Sequence, residues 1–188
     1  DIETHIDSCL LDSNIATSGS GGAIYFSSSE KISPKLTINA SKFRGNRATY
    51  SGGGIYLSHG YSSTPVVSIT NSQFISNSAD EQFGGGLYYK YDFESDALLH
   101  IDNCRFSGNS SKIGGAIVMY PASSTNRATA TLNLFNSTLD NNSADEGGGI
   151  SVGTSNFNAI SPRSYLNIVN STITKNFAKY GGGISSGY

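Results

Sequence analysis

Apolar and polar residues alternate in five short stretches along the chain. They are Leu36-Thr37-Ile38-Asn39-Ala40, Val67-Ser68-Ile69-Thr70-Asn71, Leu99-His100-Ile101-Asp102-Asn103, Leu132-Asn133-Leu134-Phe135-Asn136 and Leu166-Asn167-Ile168-Val169-Asn170. A period of two with branched and long apolar residues predicts β-strands with one buried face. No helical period of 3.6 is sustained anywhere. A second pattern follows each stretch, seen most cleanly at Phe43-Arg44-Gly45-Asn46-Arg47-Ala48 and Gly52-Gly53-Gly54-Ile55. A large apolar residue precedes an asparagine by three positions, a small residue comes two later, and glycines closed by Ile or Leu complete the phrase. Its asparagines are Asn14, Asn46, Asn77, Asn109, Asn142 and Asn176, at steps of 32, 31, 32, 33 and 34 residues.

Six copies at so regular a step mean a solenoid or array. Each copy reads as three short strands: the alternating stretch, the Phe-x-x-Asn-x-Ala segment, and a third such as Ile55-Tyr56-Leu57 or Leu87-Tyr88-Tyr89. The predicted fold is all-β, a single-stranded parallel β-helix (β-solenoid) of about six coils forming one domain over residues 1–188. Crossover helices are absent from the pattern, which excludes an α/β sheet. A leucine-rich horseshoe is excluded because its leucine spacing is missing.

Stacked coils place like residues in columns. The six motif asparagines share one inward column, and Asn71, Asn103, Asn136 and Asn170 are expected to share another. A buried amide left without partners costs about 1–3 kcal/mol, and amide-to-amide ladders between coils remove that cost. Cys9 and Cys104 occupy a slot held elsewhere by Ser41, Ser72, Ser137 and Ser171. Three coils apart, roughly 14 Å at strand spacing, they are too distant for a disulfide.

Composition narrows the function. A formal net charge of −2 provides no basic stripe for nucleic acid. No apolar run reaches the length of a membrane-spanning helix. Charged residues make up only 14% of the chain, and Ser, Thr, Asn and Gly dominate the polar set, a surface suited to an extracellular or cell-surface protein. The chain begins at Asp1, which is expected of a processed protein or a piece of a longer one. Unpaired strand edges at either end of such a solenoid favour self-association along its axis, as a filament protomer, or continuation into further coils.

Two phrases are specific: Gly21-Gly22-Ala23-Ile24 and Gly114-Gly115-Ala116-Ile117 read GGAI, while Phe43/Asn46, Phe74/Asn77 and Phe106/Asn109 read FxxN. Together, once per coil, they resemble the repeat of the chlamydial-type polymorphic outer-membrane proteins. The departures are Leu11, Leu139 and Ile173 in place of Phe, and GGGI or GGGL in four copies. The resemblance implies an autotransporter-like adhesin with a right-handed β-helix, and a role in display, adhesion or assembly rather than catalysis.

The candidate chemistry is weighed on that scaffold. Tyr25, Tyr56 and Tyr88 share an outward slot, where three stacked exposed rings form a contact strip for a glycan, a host-surface ligand or another protein. The bland alternative is a cross-strand aromatic ladder that stabilises the sheet. The slot Thr17, Thr49, Asp80, Lys112, Asp145, Lys179 predicts a surface ladder of alternating charges. Asp80-Glu81 with Asp145-Glu146 is a candidate carboxylate pair, the basis for a polysaccharide lyase or hydrolase as the competing function. A non-catalytic carbohydrate-binding module is the third reading. Asp92, Glu94 and Asp96 form a weak candidate calcium site in a variable segment. His5, His59 and His100 lack the partners of a metal centre, with His59 expected in a loop. Sequons at Asn39, Asn109, Asn136 and Asn170 predict a glycan on Asn39 alone, the other three being assigned to inward columns.

Overall fold

The computed structural model describes residues 2–28, 31–92, 94–121, 128–153 and 163–186. Every strand pairs in parallel with its counterpart one repeat away, so the chain is a parallel β-solenoid without helix among the described residues. Sheet 1 stacks Glu3–Asp7, Lys35–Asn39, Val66–Thr70, Asp96–Asp102, Thr129–Phe135 and Arg163–Val169. Sheet 2 stacks Leu10–Asp12, Lys42–Arg44, Gln73–Ile75, Arg105–Ser107, Thr138–Asp140 and Thr172–Thr174. Sheet 3 is a narrow stack of Ile15–Ala16, Arg47–Ala48 and Ser78–Ala79, carried onward by single bridges through Ser110, Ser143 and Phe177. Sheet 4 stacks Ile24–Ser28, Ile55–His59, Leu87–Tyr91, Ile117–Pro121, Ile150–Val152 and Ile184–Ser186.

The segment expected as one Phe-x-x-Asn-x-Ala strand is thus divided between sheets 2 and 3. The residue before each motif asparagine causes the break. Ser13, Gly45, Ser76, Gly108, Asn141 and Lys175 all have φ between 53° and 65°, a left-handed turn that no strand can continue through. Two further corners per rung have the same hand. One is held by Ser8, Ala40, Asn71, Asn103, Asn136 and Asn170, the other always by glycine, from Gly21 to Gly181. Only glycine fits the last corner: a Cβ on Gly84 would lie 2.4 Å from the carbonyl oxygen of Leu87.

Register places like side chains in columns and the apolar ones inside. Phe43, Phe74 and Phe106 are fully buried, with ring centroids 4.6 and 4.4 Å apart and planes within 3° of parallel. Leu36, Val67, Leu99 and Leu132 line the interior from sheet 1, and Ile55, Leu87, Ile117 and Ile150 from sheet 4. The serine and cysteine slot also points inward, and size is not its only requirement. From Ser41 onward each hydroxyl or thiol accepts the N–H of the preceding rung and donates to the carbonyl two residues back, as Ser72 does to Ser41 N and Thr70 O. Cys104 does the same for Ser72 N at 3.4 Å and Asp102 O at 3.2 Å. Cys9 and Cys104 are free thiols.

The motif asparagines form the innermost polar column. Asn77 receives, on its Oδ1, both the N–H and the Nδ2 of Asn46, at 3.0 and 2.9 Å. Its own Nδ2 donates to Asn109 Oδ1 at 2.9 Å and to Phe43 O at 3.1 Å. The pattern repeats at Asn14, Asn109, Asn142 and Asn176, and Asn46, Asn77, Asn109 and Asn142 have no exposed surface. Every polar atom of Asn77 is therefore satisfied.

The second asparagine column departs from expectation. Asn71, Asn103, Asn136 and Asn170 are exposed, not inward. Their φ near 50° turns the side chain out of the strand alternation, so the following serine or cysteine takes the inward position. A ladder still forms on the surface, with Asn103 Nδ2 donating to Asn71 Oδ1 and Asn71 Nδ2 to Asn39 Oδ1, each at 2.8 Å. On the other side of Asp102, Asn136 Nδ2 donates to Asp102 Oδ1 at 2.7 Å and Asn170 Nδ2 to Asn136 Oδ1 at 2.6 Å.

Candidate functional site

The outer surface of sheet 4 carries the tyrosine slot. Tyr25, Tyr56 and Tyr88 occupy matching positions on neighbouring strands. Tyr25 and Tyr56 stack at 4.9 Å with planes 4° apart, and Tyr88 tilts 51° from Tyr56. The three are not equally exposed as the sequence suggested. Tyr25 is 62% exposed, Tyr56 is half-buried and Tyr88 retains 7%. Their faces lie against one another, so the strip presents edges and hydroxyls. Burial raises the phenol pKa of Tyr56 and, more strongly, that of Tyr88.

The position before each corner glycine explains the gradient. It runs Ser20, Ser51, Phe83, Ile113, Glu146, Tyr180 along the rod. Phe83 leans on Tyr88 at 5.3 Å and on Tyr120 at 5.7 Å, closing the groove between sheet 4 and the corner. Tyr120 in turn reaches Ser151, Oη to Oγ, at 2.8 Å. Ser20 and Ser51 are too small to close it, and a notch of about 350 Å³ remains beside Tyr50 and Tyr56, with Phe83 and Tyr88 as its end wall. Ser51 Oγ bonds Gln82 Oε1 at 3.2 Å, and Lys90 stands at the side.

A second, polar hollow of about 370 Å³ lies over Ser78, Asp80, Ser110, Lys112 and Asp145. The alternating charge ladder expected there does not form. Asp80 pairs with Arg47 of the preceding rung at 2.7 Å, Lys179 lies over the Tyr180 ring at 5.0 Å, and Lys112 and Asp145 make no ion pair among the described residues. Two more arginines are likewise tied between rungs, Arg44 to Asp12 and Arg105 to Asp140. Arg105 holds the Asp140 carboxyl below its ordinary pKa.

Among the described residues no three acidic, His or Cys side chains gather as a metal-binding group, and Asp92, Glu94 and Asp96 do not form one. His5 lies 3.4 Å from Glu3, and His100 packs edge-on against Phe135. His59 is not in a loop: it ends the strand Ile55–His59 and points into the core, 2% exposed. Its Nδ1 meets Ser28 Oγ at 3.2 Å, while His59 Nε2 and the nearby Tyr89 Oη have no partner among the described residues. Burial lowers the imidazole pKa to about 4.

The sequons divide differently from the expectation. Asn109 is buried, whereas Asn136 and Asn170 are exposed at their left-handed corners. Asn39 is half-buried, donating to Asp7 Oδ1 at 2.6 Å and accepting from Asn71 and Thr70. Asn141-Asn142-Ser143 is a further sequon with an exposed asparagine, legible from the Asn-x-Ser pattern alone.

One comparison with known proteins bears on this architecture. Residues 40–58 match the family model of the Chlamydia polymorphic membrane protein repeat. The chain is a β-helical protein with a Pmp-like repeat. The matched window spans one exposed corner, Phe43, Asn46, the glycine triplet and the sheet 4 strand as far as Ser58, so it contains the strands of sheets 2 and 3, most of the sheet 4 strand and the asparagine of one rung. The other five copies of the Pmp-like phrase occupy the same positions in the sheets. No curated protein and no solved structure matches the chain.

Proposed function

We propose that this chain is a stiff, non-catalytic display module of a cell surface, making adhesive contacts through the outer face of sheet 4. The observation that carries this reading is the Pmp-like repeat on a solenoid whose rungs are joined by a fully bonded asparagine column. A rod of that kind resists bending, because shearing one rung exposes buried amides. The contact face is argued from aromatic side chains left at the surface, Tyr25 at 62% and Tyr50 at 40% exposure. Sheet 1 by contrast carries a polar central column, Thr37, Ser68, His100, Asn133 and Asn167, beside exposed Val66, Tyr165 and Val169.

Beads coated with the chain, tested on host epithelial cells, examine this directly. Tyr25→Ser with Tyr50→Ser is expected to cut retention at least fivefold, while Asn133→Ser and Asn167→Ser on sheet 1 leave it unchanged. Equal retention by both pairs of variants defeats the assignment to sheet 4. Release of reducing ends from a polysaccharide panel defeats the non-catalytic role.

A further inference from the structure

The notch beside Tyr50 differs from the rest of the sheet 4 surface in chemistry as well as shape. Its volume of about 350 Å³ falls within the range of small-molecule sites, roughly 300–1,000 Å³. Tyr50 is the one tyrosine of the notch whose ring stacks on no other aromatic among the described residues, and it is 40% exposed. The exposed Gln82, anchored by the buried Ser51 hydroxyl, supplies an amide on the same wall. No aspartate or glutamate lines the notch, and Lys90 makes no ion pair among the described residues. Arg44, Arg47 and Arg105 are neutralised by aspartates of adjoining rungs, whereas Lys90 carries an unpaired charge, among the described residues, beside an aromatic and hydroxylated recess.

We propose that this notch binds one anionic monosaccharide unit of a surface glycan, its carboxylate or sulfate meeting Lys90 and its apolar face lying on Tyr50. Gln82, held by Ser51, takes the ring hydroxyls. Aromatic stacking with amide and hydroxyl contacts is general to sugars, and the cation selects the acidic ones. The site exists because Ser20 and Ser51 stand where the next rung carries Phe83, so the groove that Phe83 closes stays open beside them. The proposal rests on the adhesive reading of sheet 4 and names the ligand that this face would take.

Titration of isotope-labelled chain with glucuronic acid, glucose 6-sulfate and glucose, followed by amide NMR, tests it. The acidic sugars are expected to shift Gln82, Lys90 and Ser51 and to bind at least fivefold tighter than glucose, with the carboxylate and sulfate arms telling which anion is preferred. Lys90→Gln is expected to abolish that preference, and Tyr50→Ala to lose all three sugars while the far-ultraviolet spectrum stays unchanged. Equal affinity for glucose and the acids, shifts confined to another face, or a Lys90→Gln variant that keeps the preference would each overturn the proposal. Bead retention through sheet 4 without sugar binding removes the glycan and leaves the contact role. Sugar binding without tyrosine-dependent retention does the reverse.

Discussion

Two asparagine ladders run along this rod, one inside and one outside, and they make the same amide-to-amide bond. Asn77 to Asn109 spans 2.9 Å in the core, and Asn103 to Asn71 spans 2.8 Å at the surface. Their consequences differ because the alternatives differ. An exposed amide that loses its partner gains water, whereas a buried one gains nothing. The inner column therefore welds the rungs, while the outer one chiefly marks residues that tolerate a left-handed corner.

Substitutions can break that contrast. Asn109→Ala strands the Asn77 N–H, the Asn77 Nδ2 and the Phe74 carbonyl. At about 1 kcal/mol or more for each buried group, a loss of at least about 3 kcal/mol is expected in urea unfolding at neutral pH. A loss under 1 kcal/mol would show that the column is not what joins the rungs.

The interior holds another polar side chain without such a ladder, and acid should find it. Unfolded, the His59 imidazole takes a proton near pH 6.5, but buried it does so only near pH 4. The unfolded chain thus binds more protons in this window, and stability falls as pH drops from about 6.5 to 4, by roughly 3 kcal/mol. Two carboxyls tied to arginine, Asp12 and Asp140, are held below their ordinary value of 3.8. His59→Leu is expected to flatten the unfolding profile between those limits; an unchanged slope would assign the acid sensitivity elsewhere.

Next in size is the glycine corner. Gly84→Ala puts a Cβ against Leu87 O at a φ of +64°, and should cost about 1–3 kcal/mol in thermal or urea unfolding. The smallest effect belongs to the outer ladder. Asn103→Gly loses one exposed bond but keeps an easy left-handed corner, so stability should stay within about 0.5 kcal/mol of the parent. A cost there approaching that of Asn109→Ala would erase the distinction between the ladders.

The columns were legible because residues about 32 apart carry the same chemistry: Phe43, Phe74 and Phe106, or Ser41, Ser72 and Cys104. Their facing was less legible. Val67 and Ile69 point inward, and alternation carried two residues further assigns Asn71 to the core. A single left-handed residue reverses that parity, and Ser72 enters instead. The same kind of corner at Gly45 splits what read as one strand into two. His59 was misjudged because variable sequence begins at Ser58, although backbone pairing continues to Ser28 and His59.

Sequence alone determined the solenoid, its repeat and the residues of each column, since stacking demands only that like positions carry compatible side chains. The tertiary structure decided which columns face water and where the surface opens. Tyr56 and Tyr88 hold equivalent slots, yet Tyr56 stays half-buried along the notch while Tyr88, at its end wall, retains 7% exposure, because the residue beside the corner glycine is Ser51 in one rung and Phe83 in the next. Such differences arise from neighbours across rungs and from backbone hand at the corners, and neither is encoded in the alternation of a single strand.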